Sequence, residues 1–187
     1  MLLALVGMPG CGKSTVSRQL ARQLGCDHAD TDTVLEQRFG MPVRSFFELH
    51  GEEAFREQEQ AVIEELTQRS VCVLATGGGS VLRSANREAL RARARVFYLR
   101  ASPEDLYRRL RHDTRRPLLQ VADPLGRLRE LYRERDPLYR RTAHYVIEAA
   151  RPAVPALVSM ILMQLEVAGL LDPARVPATI GRDPEAR

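Results

Sequence analysis

Lys13 is the only lysine in a chain of 187 residues whose other 27 basic residues are arginines. It stands in Gly7-Met8-Pro9-Gly10-Cys11-Gly12-Lys13-Ser14-Thr15, a Gly-x4-Gly-Lys-Ser loop of the kind that cradles phosphates. Glycines there let successive backbone N–H groups turn inward around phosphate oxygens, and the positive end of the following helix adds to their pull. Position 13 needs a compact ammonium on a thin stem to bridge terminal phosphates, a role a planar guanidinium does not fit. The Ser14 hydroxyl would ligate Mg²⁺, while Gly10, Cys11, Gly12 and Thr15 would complete the nucleotide cradle. Because Cys11 sits among anion-stabilising amides, a lowered thiol pKa and an alkylation that ATP blocks are expected.

Further groups suited to phosphoryl transfer lie downstream, where the reaction needs cation clamps, a metal, a held nucleophile and exclusion of water. Asp30 and Asp32 follow a short strand; in extended backbone they would point in opposite directions, one toward Mg²⁺ and the other toward a substrate hydroxyl. Asp before a helix is equally the usual N-cap. Gly77, Gly78 and Gly79 follow another strand directly, where bare N–H groups can approach a ligand, though a simple turn has the same composition. Arg56 has an intrahelical partner three residues on in Glu59. Arg109, Arg115 and Arg116 flank or occupy 112–124, where a closing segment would bring a guanidinium onto phosphate. Each of these, and Arg135, reads equally as a solvated surface arginine.

The elements that must position these groups alternate. Strands are expected over 2–6, 26–29, 71–75, 96–99 and 145–148, and helices over 16–24, 33–39, 51–69, 84–93, 102–111, 125–141 and 154–165. The fully apolar run 2–6 suits a strand buried on both faces. Asp136-Pro137 should bend or break the helix that contains it. Five strands alternating with helices require right-handed crossovers, hence an α/β fold of three layers, α/β/α, around a parallel sheet. Sites then belong at the carboxyl ends of the strands, where the phosphate loop, Asp30, Asp32 and Gly77–Gly79 all fall. Residues 1–170 read as one domain, with 112–124, polar and interrupted by two prolines, as a mobile lid and 171–187 as a disordered tail.

The net charge of +4 and pI near 9.3 suit anionic partners. The arginines concentrate in 83–116 and 127–141, interleaved with acids as on solvated helix faces, so no nucleic-acid partner is expected. Three cysteines without paired spacing, and no leader before the first strand, point to reduced thiols in a cytoplasm. The most apolar stretch, 154–170, is interrupted by Ser159, Gln164 and Glu166, so no membrane association is expected.

Taken in order, Gly-Met-Pro-Gly-Cys-Gly-Lys-Ser-Thr at 7–15, Asp-Thr-Asp at 30–32, Phe-Arg-x-x-Glu at 55–59, Gly-Gly-Gly at 77–79, Arg-Pro-Leu-Leu at 116–119 and Arg-Asp-Pro-Leu-Tyr at 135–139 resemble the shikimate kinases of aromatic amino-acid biosynthesis. The resemblance spans about residues 2–165. It implies a nucleoside-monophosphate-kinase-like fold with strand order 2-3-1-4-5, and ATP-dependent phosphorylation of the 3-hydroxyl of shikimate; a monomer is expected, though nothing in the residues specifies it. It makes Ser14 and Asp30 the Mg²⁺ site, Lys13 the phosphate clamp, and Asp32 the holder of the reacting hydroxyl. Arg56 and Arg135 become the grip on the substrate carboxylate, with Gly77, Gly78 and Gly79 lining its pocket. Arg116 becomes the lid arginine on the ATP phosphates, and Arg109 and Arg151 the neighbours of adenine. Two guanidinium forks suit a planar carboxylate, which lysine could not match. The chain departs from the pattern at Cys11, where a smaller residue is common in the family, and in the tail. The alternatives are a kinase for another small hydroxylated metabolite, such as gluconate or a nucleotide, and a P-loop switch acting on a macromolecule.

Overall fold

The computed structural model describes residues 1–69, 72–111, 121–150 and 153–171. Its centre is β1 (Leu2–Val6), with all five side chains buried, as an all-apolar strand requires. Around it β2 (His28–Asp30), β3 (Cys72–Ala75), β4 (Arg95–Arg100) and β5 (Tyr145–Glu148) form one parallel sheet in the order β2-β3-β1-β4-β5. This is the strand order that the resemblance implies.

The helices are α1 (Lys13–Leu24), α2 (Thr31–Phe39), α3 (Val43–Leu66), α4 (Ser84–Arg93), α5 (Pro103–Leu110), α6 (Pro124–Thr142) and α7 (Val154–Val167). One layer joins α1 to α7, while α3, α4 and α6 pack in sequence in the other. Between them, Leu5, Val6, Leu74, Phe97 and Leu99 have no exposed surface. Burying each such side chain contributes about 1.5–3 kcal/mol, so the sheet is a rigid platform for whatever its edge carries.

Register decides where that edge lies. Leu5 pairs with Ala75 and Asp30 also pairs with Ala75, while Val6 pairs with Tyr98. The carboxyl ends of β1, β2 and β3 therefore finish side by side, and the loops that follow them must share one cleft.

Three local expectations are corrected. Helix α2 begins at Thr31, so Asp32 lies in its first turn rather than in extended backbone, and Asp30 is the N-cap that accepts from the Asp32 N–H at 3.0 Å. Helix α3 starts eight residues before Gly51, which sits inside it as a kink at φ 81° and ψ 174°. The early segment escapes a search for helical spacing because its apolar residues pair aromatically instead. Phe46 stacks on Phe39 with centroids 3.8 Å apart, and Phe47 meets Phe55 at 4.5 Å. Finally, α6 runs through Pro137 without a break. The carboxylate of the preceding Asp136, accepting from Tyr98 Oη and Arg140 Nε at 2.8 Å each, helps to offset the lost backbone bond.

Residues 112–120 of the expected lid, and 172–187 of the expected tail, lie outside the described residues. Among the described residues no helix is long and apolar enough to cross a membrane.

Candidate active site

The loop between β1 and α1 ends on Gly12, the N-cap of α1 at φ 99°. Lys13 opens the helix with little exposed surface, its Nζ donating to the carbonyls of Gly7 at 2.8 Å and Met8 at 2.9 Å. The loop's own carbonyls thus hold the ammonium at the mouth of the cleft. Gly10 is required twice over, by φ 81° and because a methyl there would lie 2.4 Å from Leu110 Cδ1.

Cys11 departs from expectation. Its side chain has no exposed surface, belongs to the hydrophobic core, and lies 3.8 Å from Lys13 Nζ. The thiol faces inward beneath the loop, so alkylation in the folded protein, and its protection by ATP, are not expected. What Cys11 offers a nucleotide is its main chain.

Across the cleft, Asp30 joins the two loops. Its Oδ2 accepts from Ser14 Oγ at 2.6 Å while Oδ1 caps α2. One oxygen of Asp30 therefore caps α2 while the other holds Ser14. Asp32, in the first turn of α2, is exposed to solvent, although protein atoms surround much of its carboxylate. That crowding lifts its pKa to about 6, with help from the Asp30 carboxylate and against the pull of Lys13.

Residues 77–79 close the floor. Gly77 N–H donates to Thr31 Oγ1 at 2.9 Å, and a methyl on Gly77 would meet Asp32 Oδ1 at 3.0 Å and Glu59 Oε1 at 3.1 Å. One on Gly78 would lie 2.7 Å from the Pro9 ring, and one on Gly79 would lie 2.4 Å from Arg56 Nη2. The glycines are bare because two carboxylates, a proline and a guanidinium stand directly on them.

Arg56 is buried and fixed on three sides. Nη1 donates to Glu59 at 2.7 Å, Nε and Nη2 donate to Glu52 at 3.3 Å, and the guanidinium carbon lies 5.2 Å from the Phe55 ring centroid and 5.7 Å from that of Phe47. Glu59 is only 1% exposed, whereas the Glu52 side chain is 63% exposed and hence a loose, screened partner.

From the opposite wall, Tyr139 of α6 donates its hydroxyl to the Gly78 carbonyl at 2.5 Å and packs on Tyr98 at 5.0 Å. Burial raises the pKa of that hydroxyl against the pull of Arg135, one turn earlier on the same helix. Arg135 Nε is buried without a partner among the described residues, a donor suited to an anion. The structure thus carries the Arg56 guanidinium to the 77–79 turn, and sets Arg135 beside Tyr139, whose hydroxyl is bonded to that turn.

Arg109 does something else: it donates to the carbonyls of Cys11 at 3.3 Å and Ala149 at 2.8 Å, tying the phosphate loop to the segment after β5. Two cavities meet there. One, of about 380 Å³, is lined by Lys13, Ser14, Asp30, Asp32, Gly77 and Gly78. The other, of about 350 Å³, is lined by Gly12, Thr15, Arg109, Val154 and Leu157 and is the more apolar. A site with phosphate-binding amides between a polar and an apolar chamber suits a nucleotide meeting a small polar acceptor. Arg115, Arg116 and Arg151 lie outside the described residues.

A family model for shikimate kinase matches residues 9–166. The chain belongs to the shikimate kinase family. It is 58% identical to a shikimate kinase of Paracidovorax citrulli, covering 91% of this chain and 94% of the relative, and 54% identical to one of Cupriavidus pinatubonensis, covering 89% and 87%. Among solved structures it is similar to a shikimate kinase from Acinetobacter baumannii in complex with shikimate, at 44% identity and a TM-score of 0.85, covering 91% of this chain and 95% of that one.

Within this family's fold, sequence reasoning passed over Glu59, Ser80 and Tyr139 as members of the site. Glu59 was visible only as the pairing partner of Arg56. Its burial follows from α3 packing on the 77–79 turn, a long-range contact that leaves no periodic trace. Tyr139 stood in the quoted 135–139 motif, its spacing of four from Arg135 being the available signal.

Proposed function

We propose that the protein is a shikimate kinase, transferring the γ-phosphoryl group of ATP to the 3-hydroxyl of shikimate. The observation that carries the reading is the Arg56 guanidinium standing on Gly79 while Asp32 stands on Gly77, two residues away in the same turn and beside the phosphate loop. A carboxylate clamp and a hydroxyl acceptor are thereby held on one side of a triphosphate cradle.

In this reading Arg56 exchanges its loose contact with Glu52 for the substrate carboxylate, and Arg135 supplies the second fork. Asp32 accepts the proton as the hydroxyl oxygen forms its bond to the γ-phosphorus and the bond to the ADP oxygen breaks. Lys13 moves from the Gly7 and Met8 carbonyls to the phosphates, with the amides of Gly10, Cys11, Gly12, Ser14 and Thr15 around them. Arg109 bounds the apolar chamber where adenine belongs, and Arg116 and Arg151 keep the roles that the resemblance gives them.

The oxygen pair of Ser14 and Asp30 fits Mg²⁺, a hard cation that keeps several waters and takes few protein ligands. When bound with ATP, the ion would neutralise charge on the phosphates. The same reading takes the enzyme as a cytoplasmic monomer, with 1–170 as its kinase domain and 112–124 covering the nucleotide.

A coupled ADP-release assay with and without shikimate tests the proposal. ADP release should depend on shikimate, and preference for a carboxylate-free polyol or a nucleotide would refute it. A sharper prediction concerns Gly79→Ala. The nearest atoms to the added methyl are the end of the Arg56 side chain rather than backbone, so the fold should survive, with some loss of Tm as the shifted guanidinium loosens its pair with the buried Glu59. The displaced fork should then raise the KM for shikimate about tenfold or more, roughly one charged hydrogen bond, leaving the KM for ATP unchanged.

A further inference from the structure

Both oxygens of the buried Glu59 carboxylate are committed. Oε2 accepts from Arg56 Nη1 at 2.7 Å, and Oε1 accepts from Ser80 Oγ at 2.8 Å. Ser80 has no exposed surface, and its carbonyl accepts from Asn86 Nδ2 at 2.9 Å. Asn86, near the start of α4, is 1% exposed, and its Oδ1 has no partner among the described residues. A buried acceptor left unmatched is a standing cost, and here it is borne at the residue that fixes the Ser80 backbone. Asn86 also lines a cavity of about 430 Å³ between α3 and α4, with Gln60, Glu64 and Arg83. That cavity has no part of the phosphate loop, and through Asn86, Ser80 and Glu59 the chain of bonds runs from the back of the helical layer to the clamp.

We infer that Ser80 and Asn86 are positioning residues for the Arg56 clamp. The terminal torsion of a glutamate is broad and weakly preferred, so one bond to Arg56 alone would leave the carboxylate plane free to turn. The Ser80 hydroxyl fixes that plane, the 80–77 backbone bond at 3.2 Å anchors Ser80 to the glycine turn, and the Asn86 amide holds the Ser80 carbonyl from behind. Arg56 is thereby aimed by a relay of three side chains, none of which needs to touch the substrate beyond the arginine itself. The inference rests on the shikimate kinase reading, since it assigns Arg56 to the substrate carboxylate.

The test is steady-state kinetics of full-length Ser80→Ala with both substrates varied, alone and combined with Arg56→Lys. Ser80→Ala should raise the KM for shikimate about tenfold, with kcat and the KM for ATP within about twofold of the parent. In the Arg56→Lys background it should add less than about twofold, because the group it aims is already gone. Asn86→Asp, which keeps the shape but sets an acceptor against the Ser80 carbonyl, should give the same shikimate-specific rise, and covers the case in which Ser80→Ala does not fold. An unchanged KM for shikimate in a parent that turns shikimate over, or effects that multiply fully with Arg56→Lys, would overturn the relay. No shikimate turnover by the parent would instead overturn the functional reading and this inference with it.

Discussion

Asp32→Asn is expected to lower kcat by about a hundredfold or more, the range that a positioned proton acceptor supplies. The amide keeps the shape and can still hold the substrate hydroxyl, so the KM for shikimate should change far less than kcat. The pKa of about 6 makes the same assignment testable through pH. Proton acceptance needs the ionised carboxylate, so kcat/KM of the parent should fall as pH drops through about 6, and Asp32→Asn should lose that limb. The sign for stability runs the other way. A carboxyl whose folded pKa is raised binds its proton more tightly in the folded state, so ionising it costs stability as pH rises from the usual carboxylate range past 6. Asp32→Asn removes that cost and should raise Tm at pH 7 to 8 while activity collapses. A drop in both would point to misfolding, and near-normal turnover would remove Asp32 from proton transfer. The crowding of Asp32 by Asp30 and Glu59 is thus a strain kept for chemistry.

The same neighbourhood explains which parts of the site could be read from sequence. Local signals sufficed where local chemistry sets the structure: the Gly-x4-Gly-Lys-Ser spacing, the apolar run at 2–6, and Ser102-Pro103, which caps and opens α5 by accepting from Asp105 N–H at 3.1 Å. Motif order supplied the sheet topology, and register then brought Asp30, Ser14 and Gly77 together. What stayed hidden depends on contacts between distant segments. The inward Cys11 thiol follows from the core beneath the loop, not from the loop's own composition. The 43–50 part of α3 was hidden because Gly51, at a non-helical φ 81° and ψ 174°, interrupts the helix where the apolar spacing begins. Why Gly77, Gly78 and Gly79 must all be glycine became visible only with Asp32, Pro9 and Arg56 lying against them.

Arg56→Lys should raise the KM for shikimate by about ten- to a hundredfold while nucleotide binding persists. The charge is conserved, so any change reports geometry. Arginine here spends one arm on Glu59 at 2.7 Å and can turn a second toward a carboxylate, and its flat face rests on Phe55 and Phe47. A lysine ammonium on a flexible stem is a point donor that must choose between Glu59 and the substrate, and it has no face to stack. Losing one hydrogen bond to a charged group is worth about 1.5–3 kcal/mol, which converts to the range given. If lysine chooses the substrate, Glu59 is left buried without its cation, and stability falls by the several kcal/mol that an orphaned buried charge costs. A small loss of Tm with a large rise in KM therefore means that lysine stays with Glu59, and the reverse means that it leaves. Titration of the Mg²⁺-free nucleotide should give the parent's affinity in either case, because the phosphate loop does not contact Arg56 through any bond of the Glu59 relay. An unchanged KM for shikimate, with Tm also unchanged, would show that the substrate carboxylate is held elsewhere and would leave Arg135 as the group to pursue.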